Sequence, residues 1–494
     1  MSAQTQTAAQ TAAPAAARTT GYAWLVLSVL TFIYTFNFLD RQLMSILTEA
    51  IKNEMGLTDQ QMGLLGGIYF AAFYTIIGVF VGFFADRFSR KWILVTGSTL
   101  WSAFTAACGF AHVYPALMVS RMGVGVGEAA GAPPSYSIIS DYFPASKRGM
   151  ALGIFSLGVP FGMAIAALAG PLFIQHGDFQ FGETLIPGWR MAFITIGVAG
   201  ILATVILALL VREPKRGAQD VKLDIHMEEA PTQALDKPGF FKTAGAFFGR
   251  PALLFTALGC GASAFVGYGV LNWTAPFLTR VKGINMGEIA LWYSLELAVC
   301  MGIGTWLSGQ IADWLSKRAK FWYAMVPMIA LICAIPFYLG FVWAPTWQMS
   351  LAFLAIPTLL NNTYLAPALA VVQNAVKPEQ RTMSGALLLM VLNLIGLGLG
   401  PTFVGTMSTN FTIDNIAASL GVTAQQAADY ASMTAAQLKD LAPEIVAGIK
   451  SAGATGLQSA LYALAPFYGV AILMLILEGL FLAREQKQAK NIAA

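Results

Sequence analysis

The ten residues Gly82-Phe83-Phe84-Ala85-Asp86-Arg87-Phe88-Ser89-Arg90-Lys91 return in outline as Gly309-Gln310-Ile311-Ala312-Asp313-Trp314-Leu315-Ser316-Lys317-Arg318. Both copies read G-x-x-A-D and then turn basic, and each ends a long apolar run. A second pair follows the same order, because Lys147-Arg148-Gly149 opens one apolar segment and Gln380-Arg381-Thr382 opens another six segments later. Matching loops at matching places describe a chain built from two parallel repeats around a central path.

Outward from these loops, stretches long enough to cross a bilayer, about 20 mostly apolar residues each, fall at 22–48, 61–86, 91–111, 114–141, 149–174, 189–211, 250–279, 286–314, 320–342, 347–376, 382–407 and 458–483. Of the 29 Lys and Arg, twenty-one lie in connections on the side of the N-terminus, five on the other side and three within spans. Positive charge collects on the cytoplasmic side, so both termini are expected there. The expected layout is a disordered cytoplasmic tail at 1–20, a six-helix bundle at 21–211, a cytoplasmic linker at 212–249, a second bundle at 250–483 and a tail at 484–494. Residues 408–457 interrupt the second bundle as an outer insertion, and 423–441 within it resemble short amphipathic helices capping that face.

Composition narrows the class. Only 11% of the 494 residues are charged and 57% are hydrophobic, whereas a soluble domain carries about 25% charged residues. So few charges leave a water-exposed surface uncovered, which excludes a soluble enzyme and a disordered chain. The net charge of +4 is too small to mark a nucleic-acid partner. Cys108, Cys260, Cys300 and Cys333 form no CxxC pair, and three scattered histidines make no ligand cluster, so no metal or other cofactor is expected. Without a Gly-Lys dipeptide there is no Walker A loop to drive a pump with ATP.

Four motifs carry a family resemblance. The loop Gly82–Lys91 and its echo are similar to the signature loop of the major facilitator superfamily, and Arg121-Met122-Gly123-Val124-Gly125-Val126-Gly127 resembles its R-x-x-x-G-x-G motif. Asn37-Phe38-Leu39-Asp40-Arg41 resembles the N-x-x-D-R of the Spinster branch, as do Gly125–Ala129, Asp141–Pro144 and Arg148–Gly153. The resemblance implies an all-α membrane protein of 12 transmembrane helices in two pseudo-symmetric halves. It also implies a secondary transporter of lysophospholipids, sphingosine phosphate or related amphiphiles, proton-linked in several members. A bacterial inner membrane and a monomer are expected. A carrier of small organic anions or drugs, and a membrane sensor that no longer transports, remain alternatives.

Ionisable groups inside a span need a reason, since each costs about 2.5–3.5 kcal/mol on insertion scales. At 1.5 Å per residue, Asp40 and Arg121 lie roughly 27 and 30 Å from the cytoplasmic ends of spans 1 and 4, and Glu128 roughly 20 Å. The expected proton-coupling set is therefore Asp40, Glu128 and Arg121, with Arg121 competing against the proton for a carboxylate. A permanent neutral network that only fixes packing is the alternative. Arg41 and Arg121 offer planar forks suited to an anionic headgroup, unless Arg41 snorkels to the outer surface. Tyr34 and Asn37 share the Arg41 face of span 1. In the second half Tyr268, Asn272, Asn361, Asn393 and Glu296, read as the one carboxylate deep in that half, complete the candidate substrate set. Asp86, Arg87, Arg90, Lys91, Asp141 and Arg148, with Asp313, Lys317 and Arg318, are candidate gating residues that pair between helices when the inner side closes.

Overall fold

The computed structural model describes residues 20–85, 87–216, 240–316, 318–376 and 380–493. Among these, ten helical segments are long and apolar enough to cross a membrane. Two more complete twelve: Arg90–Gly109, and Tyr114–Glu128 with Ala132–Tyr142. The first is diluted by Ser and Thr. The second is split because Pro133 and Pro134 supply no N–H to the preceding turn. That break leaves Glu128 as the last residue of a half-helix in the middle of span 4.

Spans are numbered 1 to 12 in chain order. In the first half, span 1 (Gly21–Ile46) packs along span 5 (Lys147–His176), and span 3 (Arg90–Gly109) along span 4 (114–142) and span 6 (Gly188–Leu210). In the second, span 7 (Pro251–Arg280) packs against span 11 (381–420) and span 12 (Ala465–Ala493), while span 9 (Trp322–Trp343) lies on span 10 (Trp347–Ala375). Small residues permit this closeness in lipid, where packing rather than water exclusion holds helices together. A Cβ on Gly127 would stand 2.8 Å from the Gly97 carbonyl oxygen of span 3. Large apolar side chains face outward, among them Leu209, Leu202 and Trp306, each more than half exposed. A bilayer, not water, suits that surface.

Among the described residues the halves meet mainly at one end. Away from the chain termini a single apolar core joins them, with Leu43, Met62 and Phe193 from the first half and Val270, Trp273 and Tyr338 from the second. Toward the termini the packing separates into two clusters, one built on Val26, Leu94, Ile138 and Phe155 of the first half and reached by Leu397 of span 11, the other on Phe247, Leu253, Val371 and Leu387 of the second half. At the joined end, span 2 (59–85) lies against span 11, and span 5 against span 8 (286–316).

Several local features depart from the expected layout. The helix of span 11 runs on to Leu420, well past 407, and residues 392–399 within it are π-helical. The insertion is helical through most of its length, at Ala424–Ala431, Ala435–Leu438 and Pro443–Tyr462. Its helix Ala435–Leu438 crosses to touch Thr48–Met55 of the first half. Between spans 5 and 6, Phe179–Phe181 pairs with Thr184–Ile186 in a small hairpin whose turn begins at Gly182, φ 62°. The linker ends in a helix, Phe240–Phe248. The tail at 1–19 and linker residues 217–239 lie outside the described residues.

Candidate functional site

Neighbouring residues on a helix point about 100° apart, so Asp40 and Arg41 face different partners. Arg41 reaches span 4, where its Nη2 and Nε donate to Glu128 Oε2 at 2.7 and 3.2 Å. Its guanidinium also lies 4.7, 4.9 and 5.0 Å from the rings of Phe38, Phe70 and Tyr74. With 8% of its surface exposed, Arg41 is buried and does not snorkel. Asp40 turns the other way and accepts a hydrogen bond from Thr105 of span 3. Arg121 stands behind it, Nη1 3.9 Å from Asp40 Oδ1, too far for a hydrogen bond. Glu128 thus pairs with Arg41, whereas the expected competitor was Arg121.

The four groups balance two positive charges against two negative ones in a buried layer. They are not fully satisfied. Among the described residues, Asp40 Oδ1 and Arg121 Nε and Nη1 have no hydrogen-bond partner. A buried polar network in that condition is costly to hold in one arrangement and is a natural place for a change of partner.

Arg41 lines a cavity of about 430 Å³ between the halves, within the size range of ligand pockets. Its walls are mostly apolar and aromatic: Tyr34, Phe38, Tyr74, Tyr136 and Met163 from the first half, Tyr268, Leu271, Leu297, Leu354 and Leu392 from the second. The lining extends toward the terminal end through Ser156, Leu369 and Leu389, away from the joined core. Of the expected substrate residues, Tyr34, Arg41, Tyr268, Asn361 and Asn393 line it. Asn37, Asn272 and Arg121 do not. Asn37 is buried in the first half near Gly131. Asn272 lies beyond the cavity floor, its backbone oxygen accepting from Ser45 Oγ at 2.5 Å and its side chain against Gly66. Glu296 sits one layer behind the wall, 9% exposed. It is not the lone deep carboxylate of its half, because Glu478 of span 12 is 2% exposed and accepts from Thr256 Oγ1 at 2.9 Å.

At the terminal end, Arg90 gathers the first half's loop residues. It donates to Asp141 Oδ2 at 2.5 Å, to Glu213 Oε1 at 2.8 Å and to the Pro214 carbonyl at 3.0 Å. Burial would raise the Glu213 carboxyl, but the Lys91 N–H and the Arg90 guanidinium outweigh it and hold the group below its ordinary range. Arg148 Nε donates to the Ser140 carbonyl at 2.9 Å, and Arg87 is exposed. Arg318 lies over Trp314, 4.8 Å from its centroid. Asp86, Lys317 and the side chain of Asp313 lie outside the described residues. The described pairs of Arg90 stay within the first half and its linker.

A cluster that sequence reasoning missed bridges the two halves at the other end. Arg280, closing span 7, donates to Glu49 Oε1 at 2.5 Å and to Asp59 Oδ2 and Oδ1 at 2.6 and 2.9 Å. Asp59 also pairs with Lys52 and accepts from Ser408 Oγ at 2.5 Å. Acids at the ends of spans 1 and 2 facing a base at the end of span 7 are the sequence signal for it.

Comparison with known proteins follows the same lines. Residues 30–401 match the family model of the Major Facilitator Superfamily. An MFS-type efflux pump of Mycolicibacterium smegmatis is 28% identical over 404 residues, 81% of this chain and 87% of the pump. Human protein spinster homolog 1 is 25% identical over 408 residues, 78% of this chain and 73% of that protein. The crystal structure of a bacterial homologue of the human lysosomal transporter Spinster, inward-facing and unoccupied, superposes with a TM-score of 0.82 at 32% identity, covering 94% of this chain and 99% of that one.

Proposed function

Given that the chain belongs to the Major Facilitator Superfamily, in its Spinster branch, we propose that it is a proton-coupled, alternating-access carrier of lysophospholipid or sphingolipid-like amphiphiles. It is a multi-pass membrane transporter, and secondary transport is the activity of such a fold. The finer reading rests on one observation: Arg41, paired with the buried Glu128, lines a cavity whose other walls are largely apolar. A headgroup bearing phosphate suits the Arg41 fork, and an acyl chain suits the walls running toward the termini.

Coupling follows from competition for Arg41. An anionic headgroup that takes the guanidinium leaves Glu128 as a bare buried carboxylate, a state relieved by binding a proton. Substrate and proton then move together as the halves rock. When both leave, the ion pair re-forms and the cycle is set for its return. Asp40 and Arg121, near one another but not hydrogen-bonded, give the network a second arrangement. Arg90, Asp141 and Arg148 hold the terminal-side loop that the two halves must close upon, with Asp86, Arg87, Lys91, Asp313, Lys317 and Arg318 as the remaining loop members. Positive-inside charge puts both termini in the cytoplasm of a bacterial plasma membrane, so this cavity faces inward. The working unit is a monomer.

The relationship to a mycobacterial efflux pump favours a second reading, a carrier of small organic anions or drugs. Purified protein in liposomes with an imposed pH gradient separates the two. Gradient-stimulated movement of a fluorescent lysolipid is the expected result. Movement of organic anions alone would select the second reading, and movement of neither would refute both.

A further inference from the structure

Glu296 takes no part in the pairings above. It is 9% exposed, and a hydroxyl rather than a cation stands beside its carboxyl. Tyr293 and Cys300 neighbour it on its own helix, and Thr358 faces it from span 10. Tyr293 and Thr358 both line the central cavity, so one layer of side chains separates the carboxyl from it. Span 5 packs across the segment that carries Glu296, and nothing ionisable occurs from 149 to 175. Span 7 brings Thr274 beside Tyr293. Its one cation, Arg280, is committed to Glu49 and Asp59 at the far end. Among the described residues, then, this carboxyl has no cationic partner on the elements around it.

The backbone at this place is irregular. Ser294–Glu296 is a three-residue α-helical piece between two π-helical turns, Ile289–Tyr293 and Leu297–Met301. A π turn holds one extra residue, and passing that residue along the helix rotates a side chain by about 100°. The carboxyl can therefore swing from the wall to the cavity while the span stays helical. A bare carboxylate in hydrocarbon is strongly unfavourable, and either a proton or an organic cation removes that cost. Tyr268 and Tyr293 add aromatic faces suited to a quaternary ammonium.

We propose that Glu296, set behind Tyr293 and Thr358 between two π turns, is an exchange site that releases a proton when it receives the ammonium group of a bound amphiphile. The step is an ion exchange: the carboxyl O–H gives its proton to cavity water, and an ion pair with the ammonium replaces it. This rests on the proposed function in one respect only, that the cavity is where amphiphiles bind. The first half would then read anionic amphiphiles through Arg41 and the second half cationic ones through Glu296.

Dodecyltrimethylammonium and dodecyl phosphate, which share a tail and carry opposite charge, test this on purified protein in nanodiscs. Binding is followed by thermal shift, and proton release by a pH dye in weak buffer. In the wild type, the cation should release close to one proton per protein. Glu296→Gln should release none and bind the cation about ten-fold more weakly, with dodecyl phosphate affinity changed less than two-fold. Glu296→Asp should restore proton release and so exclude misfolding as the cause. Cation binding by the wild type without proton release, no cation binding at all, or proton release undiminished in Glu296→Gln would each overturn the proposal. Failure of dodecyl phosphate alone to bind would count against the Arg41 reading, while the proton count on the cation would still decide the role of Glu296.

Discussion

Replacing Arg280 with Gln should open the end of the molecule that is now closed. Arg280 belongs to the second half, and its five hydrogen bonds go to Glu49 and Asp59 of the first. Its side chain is 12% exposed, so these are largely desolvated, charge-assisted bonds. Removing one member of such a buried pair costs about 3–5 kcal/mol. Lys52 and Ser408 still hold Asp59, which places the loss near the lower figure. In the opposite conformation the same acids face water and lose little, so the roughly 3 kcal/mol bears on the equilibrium between conformations. At 1.4 kcal/mol per decade that is about a hundred-fold shift toward the form open at this end. Spin labels at Glu183 in the hairpin of the first half and Lys439 in the insertion of the second, both exposed, report the separation by electron–electron double resonance. A longer distance should come to dominate in Arg280→Gln. Asp59→Asn should do the same in part, and the double variant should add less than the sum. An unchanged distance distribution in Arg280→Gln would refute the reasoning.

Other perturbations have equally definite outcomes. Arg41→Ala strands Glu128 without its partner and should lower stability by about 3 kcal/mol and abolish transport. Arg41→Lys should regain the stability but little of the transport, because an ammonium lacks the planar fork, as thermal melts and liposome uptake will show. Gly127→Ala places a methyl 2.8 Å from the Gly97 carbonyl oxygen. The forced separation of spans 3 and 4 should lower stability by about 1–3 kcal/mol, read as a drop in melting temperature. Glu213 is held below its ordinary carboxylate range, so its contribution is present above the unfolded value of about 4.3 and fades as pH falls through the lower folded value. Melting temperature should therefore decline below about pH 4, and Glu213→Gln should flatten that decline.

The architecture was legible because it is written in repetition and in charge asymmetry. The loops at Gly82 and Gly309 and the clustering of Lys and Arg are coarse signals that local detail cannot erase. Charges deep in spans 1 and 4 were visible for the same reason, since each stands alone in an apolar run. Depth along the axis suggested Asp40 beside Arg121, and the two stand 3.9 Å apart. The other pair was not visible, because the rotation between residues 40 and 41 decides that Arg41 meets Glu128 at 2.7 Å. Arg280, Lys52 and Asp59 escaped notice because charges at span ends look like ordinary solvated flanks until a fold brings three ends together. Glu478 was hidden near the end of its span, and the π turns around Glu296 have no sequence signature. Asn272 shows the opposite error: a polar residue in a span need not face the cavity when a backbone contact to the other half can hold it.

Coupling through Glu128 is most directly tested by comparing two modes of transport in one variant. In liposomes, Glu128→Gln should still exchange labelled for unlabelled substrate at equal pH on both sides, because its amide mimics the protonated, substrate-bound state. The same vesicles should show no acceleration when a pH gradient is imposed. Gradient-driven accumulation equal to that of the wild type would contradict the account.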